Sequence, residues 1–160
     1  MSARRKGLVT LHVLGSTVSV GITAVMLVLA AIAVSGSDIE AAHVLRLCLL
    51  AVALPGLALA LVTGVTVALL TPWGLLRHTW VIKKLGLLLV TGGFALFLLL
   101  PWTGDLVTAV ETGAAPGLTG WLVLGGLVAQ LVKLVLITAL SVYKPRGRIG
   151  SRAVRVAVDA

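Results

Sequence analysis

The sequence predicts an all-α membrane protein: a four-transmembrane-helix bundle with both the N and C termini on the cytoplasmic side. Three observations predict it. The chain of 160 residues is 59 % hydrophobic and only 11 % charged, with a mean hydropathy of +1.16, whereas soluble domains carry about 25 % charged residues. The apolar residues come in blocks: 7–34, 47–70 and 85–100 hold no charged side chain, and 121–142 holds only Lys133. The basic residues, finally, collect on one side of the spans these blocks define. About 20 apolar residues at 1.5 Å each cross a ~30 Å hydrocarbon layer. A backbone without water must satisfy its own hydrogen bonds, which favours helices for runs of this length.

The first helix is predicted over 8–34. The basic start "MSARRK" and the small residues "AIA" at 31–33 also fit a signal peptide. Signal h-regions run about 7–15 residues, however, and this run is nearly double that, so an uncleaved helix is expected. "SDIE" at 37–40 reads as a capping box from Ser37 to Glu40, opening a second helix over 38–70. At 1.5 Å per residue that helix measures about 50 Å. It must tilt, begin outside the membrane, or bend at Pro55-Gly56. Beyond the proline, Gly56, Ala60, Gly64 and Ala68 recur every fourth residue, a small-residue stripe that admits another helix at close range.

The third helix is predicted over 80–100, ending at Pro101-Trp102. The connection 103–120 contains "DLVTAVE", read as a short surface helix, and then a Gly/Pro-rich loop. The fourth helix spans 120–143 and ends at Tyr143-Lys144-Pro145. Residues 144–160 form a basic cytoplasmic tail. It either lies on anionic lipid, each base near the surface contributing ~1 kcal/mol, or is disordered.

A net charge of +8 invites a nucleic-acid partner, but its distribution argues for topology instead. Arg4, Arg5, Lys6, Arg77, Lys83, Lys84, Lys144, Arg146, Arg148, Arg152 and Arg155 all fall on one side of four alternating helices. The other side has Arg46, with the acids Asp38, Glu40, Asp105 and Glu111. Loops this short follow the positive-inside rule. The expected partner is therefore a bilayer with anionic headgroups, and no nucleic acid is expected.

Lys133 is the residue that stands out, deep in the fourth helix with Gln130 one turn away. A lysine at that depth costs about 2.5–3.5 kcal/mol on insertion scales and marks a functional site by default. The structural alternative is a lysine bonded to Gln130, to a carbonyl, or to a hydroxyl such as Thr63 or Thr66, or one that snorkels to water. No acid lies in the apolar runs to pair with it. Among the histidines, His12 and His78 belong to the cytoplasmic side and could share a metal or a haem, whereas His43 belongs to the opposite leaflet beside Arg46. Two histidines without Cys, Met or carboxylate support are a weak metal signature, and no cofactor is expected. Cys48 reads as a small buried hydrophobe. No nucleophile elbow, HExxH, P-loop or intramembrane carboxylate pair occurs, so no enzyme is expected.

The central connection, "TPWGLLRHTWVIKK", has Thr71 to cap and Pro72 for a first helical position. Trp73, Leu76 and Trp80 then share one apolar face, while Arg77, His78, Lys83 and Lys84 are expected at the lipid headgroups. Taken with "LHVLGSTVSVG" in the first helix, this loop resembles a group of small, uncharacterised four-helix integral membrane proteins of actinobacteria. That group is distantly similar to the membrane domain of copper-resistance D-type proteins. The W-G-L-x-R-x-x-W-V-x-x-K pattern falls on Trp73, Gly74, Leu75, Arg77, Trp80, Val81 and Lys84. The resemblance implies a bacterial plasma-membrane protein and brings no activity with it. Its copper connection would need metal ligands, for which His12 and His78 are the candidates.

Two functions follow as expectations. One is a non-enzymatic accessory or scaffold protein, pairing with a second copy or another membrane protein through the helix-2 stripe and the helix-4 glycines. The other is a small transporter or metal or haem handler using Lys133, Gln130 and His12, with a polar cavity open to the cytoplasm.

Overall fold

The structure, a computed structural model, describes residues 3–70 and 79–143. The predicted interfacial segment with Trp73, Arg77 and His78, and the basic tail 144–160, lie outside the described residues. Among the described residues every element is helical: α1 (Ala3–Gly36), α2 (Ile39–Cys48), α3 (Leu54–Leu69), α4 (Thr79–Phe94), α5 (Leu100–Glu111) and α6 (Gly117–Tyr143). Single π-helical turns, Leu49–Ala53 and Ala95–Leu99, join α2 to α3 and α4 to α5. They make four helices long and apolar enough to cross a membrane: Lys6–Gly36, Ile39–Leu69, Thr79–Glu111 and Gly117–Tyr143.

The turn between the first two spans differs by one residue from the capping box expected at Ser37. The cap is Asp38, extended at φ −81° and ψ 112°, whose carboxylate accepts the Ala41 N–H at 2.8 Å. Ser37 instead reverses the chain at φ +50°, a left-handed conformation that an N-cap does not adopt.

The second helix runs through Pro55 as expected, whereas Pro101 does not end the third helix. A proline ring inside a helix collides with the carbonyl four residues back and removes a hydrogen bond. Here the residue before each proline bonds five residues back instead, Leu54 N–H to the Leu49 carbonyl and Leu100 N–H to the Ala95 carbonyl. The widened turn makes room for the ring and keeps the buried backbone bonded. The second span therefore passes through Pro55, and the third continues through Pro101 to Glu111. "DLVTAVE" is its last turns, not a separate surface helix. It closes with Gly113 at φ +70°, whose N–H meets the Val110 carbonyl while the Ala114 N–H meets that of Ala109, the Schellman arrangement.

Around the bundle the spans follow chain order, each packed antiparallel to the next, and α1 also packs on α6. Helix α2 lies against α5, but α3 and α4 touch much less. The end holding Asp38, Glu40 and Glu111 is called the acidic end, and the end holding Lys6, Lys83 and Lys84 the basic end. Toward the acidic end a tight core joins Met26, Ala30, Leu45, Leu49, Leu99, Leu106 and Leu127, and Phe94 meets Trp102 edge to face at 6.0 Å between ring centres. Arg46 lays its guanidinium on Gly104, and His43 Nε2 stands 3.0 Å from Glu111 Oε1. Only 22–33 % of each span's most apolar stretch is buried in the bundle. The remainder, including Val62, Phe97 and Trp121, forms an exterior suited to hydrocarbon and not to water.

Candidate functional site

Helices α1 and α3 approach until their backbones touch. A Cβ on Gly15 would stand 3.4 Å from both the Ala60 nitrogen and the Gly56 carbonyl oxygen, and one on Gly56 would stand 3.0 Å from Ser19 Oγ. The stripe of Gly56, Ala60 and Gly64 is therefore turned inward on α1, and Ala68 lines the cavity described below. The partner surface expected of this stripe is used within the chain.

That close approach places His12. Its imidazole lies over Gly64, where a Cβ would come within 2.9 Å of Cε1. Nδ1 is 3.0 Å from the Ala60 carbonyl oxygen and 3.2 Å from Thr63 Oγ1, and the Thr63 hydroxyl itself donates to the Leu59 carbonyl at 2.6 Å. A carbonyl only accepts, so the geometry assigns the ring hydrogen to Nδ1 and leaves a lone pair on Nε2. That lone pair faces Lys84 Nζ at 3.5 Å, the outer limit of a hydrogen bond. Lys84 was expected at the headgroups with Lys83; in the structure the two part. Lys83 is exposed, while Lys84 is half-buried and points toward α1.

His12 and Lys84 line a cavity of about 160 Å³. It occupies the opening between α3 and α4, with Ala60, Gly64, Val65, Ala68, Trp80 and Leu88 among its walls. Apart from His12 and Lys84 its lining is overwhelmingly hydrocarbon. Among the described residues no carboxylate pairs with Lys84, since the acids all stand at the opposite end.

Lys133 lies elsewhere. Its Nζ sits 3.5 Å from the centre of the Phe94 ring, a cation–π contact, and it does not line the cavity. Among the described residues no hydrogen bond joins it to its expected partners, whose own hydrogens go to backbone carbonyls. Gln130 donates to the Thr91 carbonyl at 3.3 Å, Thr63 to that of Leu59, and Thr66 to that of Val62 at 2.7 Å. Lys133, Gln130 and His12 are thus not assembled into one site; the lysine beside His12 is Lys84. Among the described residues no three His, Cys, Asp or Glu side chains come together. The donor set at His12 is also ill-suited to a cation, because an ammonium already faces its free nitrogen.

A pattern in the sequence could have found this site. Val81, Lys84, Leu88, Thr91, Ala95 and Leu99 recur at steps of three or four, the spacing of one helix face, and Lys83 falls off it. His12, Ser16, Ser19, Thr23, Met26, Ala30 and Ala33 form the same kind of row on α1, polar toward the basic end and apolar toward the acidic end. Compared with known proteins, the chain matches no family model, no curated protein and no solved structure.

Proposed function

We propose that the chain is a non-enzymatic, multi-pass protein of the bacterial plasma membrane that holds an anionic amphiphile between α3 and α4. Its termini and the 71–78 connection are cytoplasmic, so the cavity opens toward the inner leaflet. The observation that carries this reading is Lys84 beside His12 in the lining of a hydrocarbon-walled cavity, without a carboxylate partner among the described residues. A cation in a nonpolar setting calls for an anion, and the walls call for an acyl or prenyl chain. The role is to bind and present such a molecule as an accessory unit.

The experiment is native mass spectrometry of the purified protein with identification of the lipids that leave with it. Wild type and Lys83→Met are expected to retain an acidic amphiphile, and Lys84→Met to lose it. Equal retention by the two variants, or only zwitterionic lipid on wild type, overturns the reading.

Association with a second copy or another membrane protein is a second reading. Gly86 on α4 and Gly125 on α6 have open space where a Cβ would stand, so each offers a close-approach surface on the outside of the bundle. Crosslinking in native membranes that yields only monomer with no partner removes it. The metal-handling alternative draws least support, given the ammonium at His12 Nε2.

A further inference from the structure

Gln130 is the chain's only glutamine, and the chain has no asparagine. Its side chain is 3 % exposed. The Thr91 carbonyl fixes which end of the amide is which, because only the nitrogen can donate to it, at 3.3 Å. Oε1 is then the acceptor turned away from Thr91, and among the described residues no protein donor reaches it. An orphaned acceptor at that depth is costly and asks for a partner.

Gln130 lines a pocket of about 10 Å³ together with Ser19 and Thr23 of α1, about the least space that holds one water. Both hydroxyls have already committed their hydrogens along their own helix, Ser19 to the Gly15 carbonyl at 2.8 Å and Thr23 to the Ser19 carbonyl at 2.7 Å. Each therefore presents only lone pairs. The pocket offers three oxygen acceptors, and an occupant that satisfies Gln130 Oε1 must supply a hydrogen.

A second pocket of about 20 Å³ shares Ser19 and Leu57 with the first, and shares His12, Ala60, Lys84 and Leu88 with the 160 Å³ cavity. The three spaces lie in series from the His12–Lys84 end toward the middle of the spans. Beyond Gln130 the row ends at Met26, Leu49, Leu99 and Leu127, all buried in the apolar core.

We infer that a water molecule is bound between Gln130 Oε1, Thr23 Oγ1 and Ser19 Oγ, supplied through this row of pockets from the basic end, and that the path stops there. One hydrogen of the water goes to Gln130 and the other to a hydroxyl oxygen, which satisfies the orphaned acceptor. The bundle is thus wet along one half of its axis and dry along the other. This does not depend on what occupies the cavity beside His12 and Lys84.

The uniqueness of Gln130 supplies the test. Selective 15N-glutamine labelling yields one side-chain amide and one backbone amide from the same residue, in the full-length protein in lipid bilayers. Water-edited solid-state NMR is expected to transfer magnetisation to the side-chain amide sooner than to the helix-bonded backbone amide. Transfer to both at the same slow rate overturns the inference. Thr23→Val keeps the shape and removes one acceptor; it is expected to slow the side-chain transfer, with the backbone signal reporting that the fold is kept. Unchanged transfer in that variant places the water elsewhere and overturns the site. Replacing sodium by N-methylglucamine is expected to leave the Gln130 side-chain shift unmoved; a shift that follows sodium makes the occupant a cation and equally overturns it.

Discussion

Two adjacent lysines show how much a single helical step decides. Lys83 and Lys84 look equivalent as a basic pair at a membrane boundary, but successive residues on a helix point about 100° apart. Lys84 shares the inward face of Thr91 and Ala95, while Lys83 is exposed. Charge patterning alone assigns both to the headgroups because it counts bases and ignores their direction. His12 is placed by a residue that makes no bond at all. Gly64→Ala puts a methyl 2.9 Å from the ring, and since the ring is held by Ala60 and Thr63, overpacking of about 1–3 kcal/mol is expected. Gly125→Ala meets nothing within 4 Å and is expected to stabilise its helix by up to about 1 kcal/mol. Thermal unfolding of the two variants in one detergent checks the contrast; equal midpoints would contradict the packing of His12.

At the level of elements, the charge-free runs made all four helices legible, but not where the third one ends. The third helix was expected to stop at Pro101 because a proline normally breaks a regular helix. A π turn just before it, Ala95–Leu99, lets the span run on to Glu111, and nothing in the local sequence marks a change from four-residue to five-residue bonding. The cap at the second helix was misplaced by one residue for a similar reason: Ser37 and Asp38 are both good caps, and only backbone geometry chooses between them. Asp38→Ala is expected to cost about 1 kcal/mol through loss of the Ala41 bond. Ser37→Gly, which relieves a left-handed conformation at φ +50°, is expected to gain about 1 kcal/mol. Chemical unfolding of both variants tests the turn, and opposite signs are the expected result.

For the whole molecule, the one-sided distribution of bases and acids was the clearest message in the sequence, and helix order was the part it did not carry. Order depends on which faces meet, and here small residues decide: Gly15 and Gly56 bring α1 onto α3. The opening between α3 and α4 is a consequence of that assembly, so the candidate site could not be read from any one span. The proposed cytoplasmic placement of both termini is testable: with Cys48 first replaced by alanine, Ser37→Cys is expected to react with an impermeant maleimide from outside the cell. Ser151→Cys is expected to react only after the membrane is opened. The reverse pattern would move the cavity to the outer leaflet and change which amphiphiles could enter.

The most direct measurement is an experimental structure of the protein in bilayer nanodiscs made from its host's lipids. The account predicts elongated density between α3 and α4, with its polar end beside Lys84 Nζ and His12 Nε2 and its chain along the wall of Gly64, Val65 and Leu88. A bundle in which α3 and α4 close on each other, with Lys84 turned out beside Lys83 toward the headgroups, would contradict it.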